Sequence, residues 1–281
     1  MVNETTVTAV KRLAANIRKD VVTMIGCLGQ AGHLGGSCSS ADIVAALYGH
    51  KLRFDPKNPQ WESRDKFIYS KGHAAIAQYA AMAEVGYFPV EELLTCKTLG
   101  ARLQGHPDRR KTPGIEAGTG SLGQGLSIAN GMALAMRLDK KENRVYCVMG
   151  DGELAEGQIW EAAMAASVYK LDNLTAIIDQ NGLQATGTVS ERFNTCPLPE
   201  KWSGFGWHVI EVDGHDVPAV LSAFDEAETV KGKPTVVIAH TVKGKGVSFA
   251  ENVVGFHNGS LTKEQYDTAL SELNAQLAAL D

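Results

Sequence analysis

From Val7 to Leu28, apolar side chains recur every three or four residues: Val10, Leu13, Ala14, Ile17, Val21, Met24, Ile25 and Leu28. That spacing lines one face of a helix and predicts a long amphipathic one, stopping near Gly29-Gln30-Ala31-Gly32. Ser39-Ser40-Ala41-Asp42 offers caps for a second helix over Ile43–Tyr48. Phe67-Ile68-Tyr69 reads as a short strand and Ala74–Val85 as a helix of small residues. Leu99–Gly118, polar and rich in Gly and Pro, reads as a long loop, and loops of that length inside a domain usually serve function. The pattern then becomes regular. Helix 122–138 precedes strand 145–149, helix 155–169 precedes strand 174–178, strand 207–212 is followed by helix 217–230, and strand 235–239 by a closing helix over 261–280. Continuously apolar strands alternating with helices predict an α/β fold: a doubly wound, mainly parallel sheet with helices on both faces. No linker, repeat or low-complexity stretch divides the chain, so residues 1–281 are expected to form a single domain with its core at about 10–260 and a C-terminal helix.

Composition narrows the function. Of 281 residues, 44% are hydrophobic and 21% charged, as in ordinary globular proteins rather than disordered chains. Net charge is −5, and the longest basic run is Arg109-Arg110-Lys111, so no stripe for nucleic acid exists. The stretch from Met1 to Asp20 is polar, with no apolar core of leader length, and no window approaches 18 apolar residues, so no membrane association is expected. Five widely spaced cysteines (27, 38, 96, 147 and 196) form no CxxC pair. They read as reduced thiols of a cytoplasmic protein, not as a zinc site or disulfide framework.

The strongest chemical signal is Gly150-Asp151-Gly152 directly after strand 145–149, followed thirty residues later by Asn181 just beyond strand 174–178. Both polar residues fall at the carboxyl ends of parallel strands, where open α/β sheets bind ligands. An Asp carboxylate and an Asn amide oxygen are hard donors suited to Mg²⁺ or Ca²⁺. Backbone N–H groups of the turn at Gly152 would face an anion. The inference is a metal-bridged diphosphate. Gly-Asp-Gly alone is equally a plain turn; its place at a strand end and the Asn spacing decide against that. A nicotinamide cofactor is the competitor, since Gly118, Gly120 and Gly123 fit GxGxxG, but they follow a loop rather than a strand.

The Gly-Asp-Gly…Asn pattern resembles the thiamine diphosphate signature, and further segments resemble the transketolases in particular. They are Gly32-His33-Leu34-Gly35-Gly36, Ser70-Lys71-Gly72-His73-Ala74, Gln104-Gly105-His106-Pro107, Thr119-Gly120-Ser121-Leu122-Gly123-Gln124-Gly125, and Lys243-Gly244-Lys245-Gly246 with His257. The resemblance runs from about residue 10 to 260. It departs at Leu34, where the family has proline, and at His257-Asn258-Gly259, where the family has His-Gly.

The resemblance implies roles. His33, His73 and His257, each on a Gly-flanked loop, would surround the diphosphate and the reacting carbon, and His106 would lie near the cofactor's amino group and the substrate hydroxyls. Imidazole suits such work because it donates or accepts protons near neutrality. Cofactor contacts are expected from His73, Gly120, Ser121, Leu122, Gly150, Gly152, Glu153, Asn181 and His257, and metal ligands from Asp151, Asn181 and Leu183. Mg²⁺ is the expected ion, with Ca²⁺ or Mn²⁺ as substitutes. Glu156 and Glu161, on the helix after Gly-Asp-Gly, match carboxylates near a subunit contact, with Glu156 in a buried proton network there. In transketolases a second, pyrimidine-binding domain supplies the activating glutamate. This chain, from Met1 to Asp281, matches only the first domain, which implies the N-terminal subunit of a split transketolase. Such a subunit would work in an α2β2 heterotetramer, moving a two-carbon ketol unit between sugars or sugar phosphates. An inactive cofactor-binding regulator and a deoxyxylulose-phosphate-synthase-like enzyme acting on keto acids are the alternatives. The histidine set argues for sugars. His50, His208, His215 and His240 match nothing in the family pattern and read as structural.

Overall fold

The computed structural model describes residues 3–280; Met1, Val2, Asp281 and the side chain of Leu28 lie outside the described residues. Helix α1 (Glu4–Leu28) begins where the Asn3 carboxamide accepts the Thr6 N–H at 2.7 Å. It ends at Gly29, whose φ of 56° is left-handed and costs glycine nothing. Two short helices follow, α2 (Leu34–Ser39) and α3 (Ala41–Ala46), the latter widening into a π turn over Leu47–Lys51. Then come β1 (Lys66–Tyr69), α4 (Ala75–Glu84), α5 (Gln124–Leu138), β2 (Val145–Gly150), α6 (Gly157–Val168) and β3 (Leu174–Gln180). A small hairpin, β4 (Leu183–Gln184) and β5 (Gly187–Thr188), leads to α7 (Val189–Arg192) and α8 (Leu198–Gly204). The chain closes with β6 (His208–Asp213), α9 (Val217–Thr229), β7 (Thr235–His240) and α10 (Lys263–Ala278).

Five strands form one wholly parallel sheet in the order β1-β2-β3-β7-β6. Side chains alternate across it as the pleat requires. Tyr146, Val148, Ile177, Val237 and Ala239 pack under α1, α3, α4 and α9. Val145, Cys147, Met149, Ala176, Ile178, Val236 and Ile238 pack under α5, α6 and α8. Because both faces are covered, the inner strands β2, β3 and β7 can be apolar nearly throughout, whereas edge strand β6 keeps exposed polar positions. The expected doubly wound α/β fold is the fold observed. Among the described residues no helix is long and apolar enough to cross a membrane.

Three local features depart from the sequence reading. Gly32–Gly36 is not simply loop: His33 occupies the N-cap of α2, and Leu34 is that helix's first residue. Proline is favoured at the first position of a helix, so leucine here is compatible with the same helical start. Glu156 is not within the helix after Gly-Asp-Gly but stands at its N-cap position without a side-chain capping bond, because a 3₁₀ turn over Gly152–Ala155 intervenes. The β4–β5 hairpin with α7 and α8 had no apolar period long enough to announce it. Residues 96–123 hold no helix or strand, as expected of the long loop.

Candidate active site

The carboxyl ends of β1, β2, β3 and β7 open into one cavity of ≈ 280 Å³, lined by His33, Gly36, Lys71, His73, Gly120, Leu122, Gly150–Glu153, Asn181, Leu183–Ala185, Lys243 and His257. Parallel register puts these residues side by side. Gly150 pairs with Asp179 and Gln180 with His240, so the residues leaving each strand emerge at one level.

At the floor lies a buried ion pair, Lys71 (2% exposed) with Asp179 (0%). Lys71 also donates to the Gly36 carbonyl at 2.6 Å. Asp179 accepts from Ser39 Oγ at 2.6 Å, Thr241 Oγ1 at 2.5 Å and Asn181 Nδ2 at 3.1 Å. Burial works against both charges, yet each holds the other ionised: Lys71 stays above the usual lysine value and Asp179 below the usual carboxylate value.

Asp151 is buried at the end of β2. Its two oxygens accept the N–H groups of Gly152 (2.9 Å) and Gly182 (2.6 Å). Burial pushes its pKa up to about 6, and these N–H groups offset only part of the shift. Asn181 Oδ1 accepts the Leu183 N–H at 3.1 Å, and the Leu183 carbonyl accepts Lys243 Nζ at 2.7 Å. The N–H of Gly152, expected to face an anion, is thus taken by Asp151. Glu153 lines the cavity, but its carboxylate accepts from Ser70 Oγ, Gly123 N (2.9 Å) and Gly150 N (3.1 Å), bracing three segments.

Three imidazoles crowd the opposite wall. Ring centroids of His33, His73 and His257 lie 5.0, 5.3 and 5.5 Å apart. Lys243 Nζ lies 2.9 Å from His257 Nδ1; as an ammonium has only donors, Nδ1 is the acceptor and Nε2 carries the proton. Burial lowers all three histidines, His33 and His257 to about 4, with the charge of Lys243 adding to the effect. They are neutral at pH 7. Burial, then the charge of Lys71, brings Lys243 itself down to about 8.

Three expected site residues stand apart from the cavity wall. His106 is exposed, over an open depression formed by Gln104–Arg110 and Gly118. Its ring abuts Gly120, where a Cβ would come within 2.7 Å of Cδ2; the φ of +143° there also favours glycine. Ser121 and Glu156 are exposed as well. Conversely, the sequence pattern assigns no role to Lys71, Asp179 or Lys243. Two lysines inside glycine-flanked motifs were the available signal, but burial of their ammonium groups emerges only when the strands are aligned.

A parallel α/β sheet whose strand ends gather carboxylate, amide, ammonium and imidazole groups around one cavity defines a cofactor-binding domain. The family of the transketolase thiamine diphosphate binding domain matches residues 9–276, and the chain belongs to it. It is 47% identical over 260 residues to the 6-deoxy-6-sulfo-D-fructose transketolase subunit SqwG of Clostridium sp. (strain MSTE9), covering 92% of this chain and 94% of that protein. It is 42% identical to an apulose-4-phosphate transketolase subunit of Phocaeicola vulgatus, covering 90% and 89%. Among solved structures, a transketolase from Campylobacter jejuni superposes with TM-score 0.86 at 29% identity, and one from Leishmania mexicana with 0.85 at 28%. The chain covers 46% and 45% of these two, so it spans under half the length of the solved transketolases it matches.

Proposed function

We propose that this chain is the cofactor-binding subunit of a two-subunit transketolase, holding thiamine diphosphate and a divalent cation in the cavity and acting only with a separate pyrimidine-domain subunit. One observation carries the reading: a single cavity at the strand ends brings the Asp151 carboxylate, the Asn181 amide oxygen and the Leu183 carbonyl together with the Lys243 ammonium, offering oxygens to a cation and positive charge to a phosphate. Burial raises the Asp151 carboxyl to about 6 and lowers the Lys243 ammonium to about 8, and among the described residues neither has a counter-charge in contact with it. A cation bridged to a diphosphate supplies both. The donors fit such a group. Asp151 and Asn181 each retain an oxygen lone pair, and the Leu183 carbonyl has a second one beside that used by Lys243. This all-oxygen set suits Mg²⁺, with Ca²⁺ or Mn²⁺ as substitutes. Among the described residues no group of three or more His, Cys, Asp or Glu is arranged for a metal, so the ligand's own oxygens would complete the shell.

Bound thiamine diphosphate supplies the nucleophilic carbon for ketol transfer. The chain's residues do the remainder. Gly120, Leu122 and the Gly150–Gly152 turn line the cavity and would form the cofactor's bed, and Lys243 would face its phosphates. His33, His73 and His257, all neutral, each offer one N–H and one lone pair to sugar oxygens; His257 does so through Nε2–H. His106, Ser121 and Glu156 are exposed beside the cavity, where His106 would meet the cofactor's amino group and the substrate hydroxyls, Ser121 the cofactor, and Glu156 a proton network at the contact with the partner chain. The relatives named above are transketolase subunits for a sulfonated and a phosphorylated sugar, which favours a ketose donor with an anionic end. We read residues 1–281 as one binding unit of a cytoplasmic α2β2 assembly with the cofactor at the contact between chains.

The test is calorimetric titration of thiamine diphosphate with Mg²⁺ into this chain, with and without the pyrimidine-domain subunit. Tight binding is expected only with both present. Asp151→Ala removes the only carboxylate among the proposed metal ligands and is expected to abolish metal-dependent binding. Unchanged affinity in that variant would refute the site.

A further inference from the structure

His215 lies outside the cavity, in the turn from β6 to α9, and the geometry points to it as a positioning residue for Lys243. Its Nε2 lies 2.8 Å from the backbone nitrogen of Val242, the residue before Lys243. Its Nδ1 lies 2.7 Å from Asp42 Oδ2. A backbone N–H can only donate, so Nε2 is the acceptor and the ring proton sits on Nδ1, donated to Asp42. Asp42 is in turn held by Arg18, whose Nη1 is 3.2 Å from Oδ1 and whose Nε donates to the Cys38 carbonyl at 3.3 Å. Burial disfavours the Asp42 charge, but Arg18 and the His215 hydrogen bond outweigh it and hold the carboxyl below its usual range. The carboxylate therefore fixes tautomer and ring plane, as outer groups do for histidines that serve a site.

The turn carrying His215 is itself anchored. The His215 N–H donates to Asp213 Oδ1 at 2.8 Å, and the Gly214 N–H donates to the His240 carbonyl at 2.8 Å. A Cβ on Gly214 would come within 2.5 Å of Thr241 Cγ2, so the turn lies directly against the exit of β7. That exit is thus held from both sides. Thr241 N donates to the Gln180 carbonyl (3.0 Å), Val242 N to His215, and Gly244 N to the Gly35 carbonyl (3.0 Å). Between the last two the Lys243 side chain runs into the cavity, reaching Leu183 O and His257 Nδ1. The Val242 and Lys243 carbonyls keep the N–H groups of Lys245 (3.1 Å) and Asn252 (2.8 Å), so loss of the middle anchor leaves the Val242 N–H unpaired and loosens the aim of the ammonium without freeing the segment.

The inference rests on Lys243 facing the diphosphate, and the experiment separates the two. Cofactor and Mg²⁺ affinity is measured by calorimetry on the enzyme assembled with its partner subunit, for wild type, His215→Ala, His215→Gln, Lys243→Ala and the double alanine variant. His215→Ala is expected to weaken binding about tenfold, the scale of lost outer-group support. His215→Gln, whose amide oxygen can reach the Val242 N–H, is expected to recover most of that loss. In the Lys243→Ala background, His215→Ala is expected to add less than about twofold, because coupled residues are not additive. A merely structural role would give additive losses and no rescue by glutamine. Wild-type affinity in His215→Ala beside a weakened Lys243→Ala, or additive losses in the double variant, overturns this proposal alone. Wild-type affinity in Lys243→Ala overturns the reading of Lys243 and this proposal with it. Thermal melts of each variant keep loss of fold apart from loss of aim.

Discussion

Replacing Lys71 with methionine tests the floor of the cavity. Lys71 and Asp179 are almost wholly removed from water, and the substitution keeps the length of the stem while deleting the charge. Two unit charges about 4 Å apart attract by about 4 kcal/mol at an effective dielectric of about 20. Stripping one partner from a buried pair typically costs about 3–5 kcal/mol, because the survivor stays buried and uncompensated. Asp179 retains hydrogen bonds from Ser39, Thr241 and Asn181, which places the expected loss toward the lower end, about 3–4 kcal/mol. For a chain of this size that corresponds to a fall in melting temperature of about 6–16 °C. The assay is urea unfolding of the cofactor-free chain followed by circular dichroism. The double variant Lys71→Met/Asp179→Asn, which removes both charges, is expected to regain at least half of the loss. A single variant within about 1 kcal/mol of wild type, the scale of an exposed pair, would refute the argument. So would a double variant less stable than the single one.

Asp20 on α1 has a buried Oδ2 without a hydrogen-bond partner, and burial, then the charge of Glu84, raises its pKa to about 7. Its folded value lies above the ordinary 3.8, so the stability it contributes is fully present below about pH 4 and is lost as pH rises through about 7. Asp20→Asn should therefore flatten the decline in melting temperature between pH 5 and pH 8; parallel curves for the two proteins would count against it. Gly125, in the first turn of α5, sits where a Cβ would overlap Ser70 Oγ and Cβ and come within 2.9 Å of Ser70 Cα. Gly125→Ala should cost about 1–3 kcal/mol in urea unfolding, as overpacking does, and a neutral result would show that the β1 exit can yield. Native mass measurement of the chain mixed with its partner subunit should give two copies of each; a stable, active homodimer of this chain alone would contradict the assembly.

The positions of Asp151 and Asn181 were legible because each follows an apolar strand, and a parallel sheet brings all strand ends to one edge. The convergence of His33, His73 and His257 was legible only through family resemblance. They come from three segments far apart in the chain, and nothing local signals that the three rings lie within 5.5 Å of one another. His106, Ser121 and Glu156 sit in or beside the same motifs, yet the structure leaves them exposed beside the cavity rather than in its wall. A motif fixes which residues are near one another, not which of them the folded backbone buries in the wall of this chain's own cavity.

By itself the sequence determined the periodic elements, the two-faced parallel sheet and the edge where chemistry gathers, because apolar spacing and strand–helix alternation are local properties. Tertiary structure alone decided that Lys71 and Asp179 form a buried pair 108 residues apart, that Glu153 braces three segments rather than standing free, and that His215 grips the backbone beside Lys243. Those are matters of charge burial and hydrogen-bond partnership. They depend on strand register and the crossing of distant loops, which no window of the sequence contains.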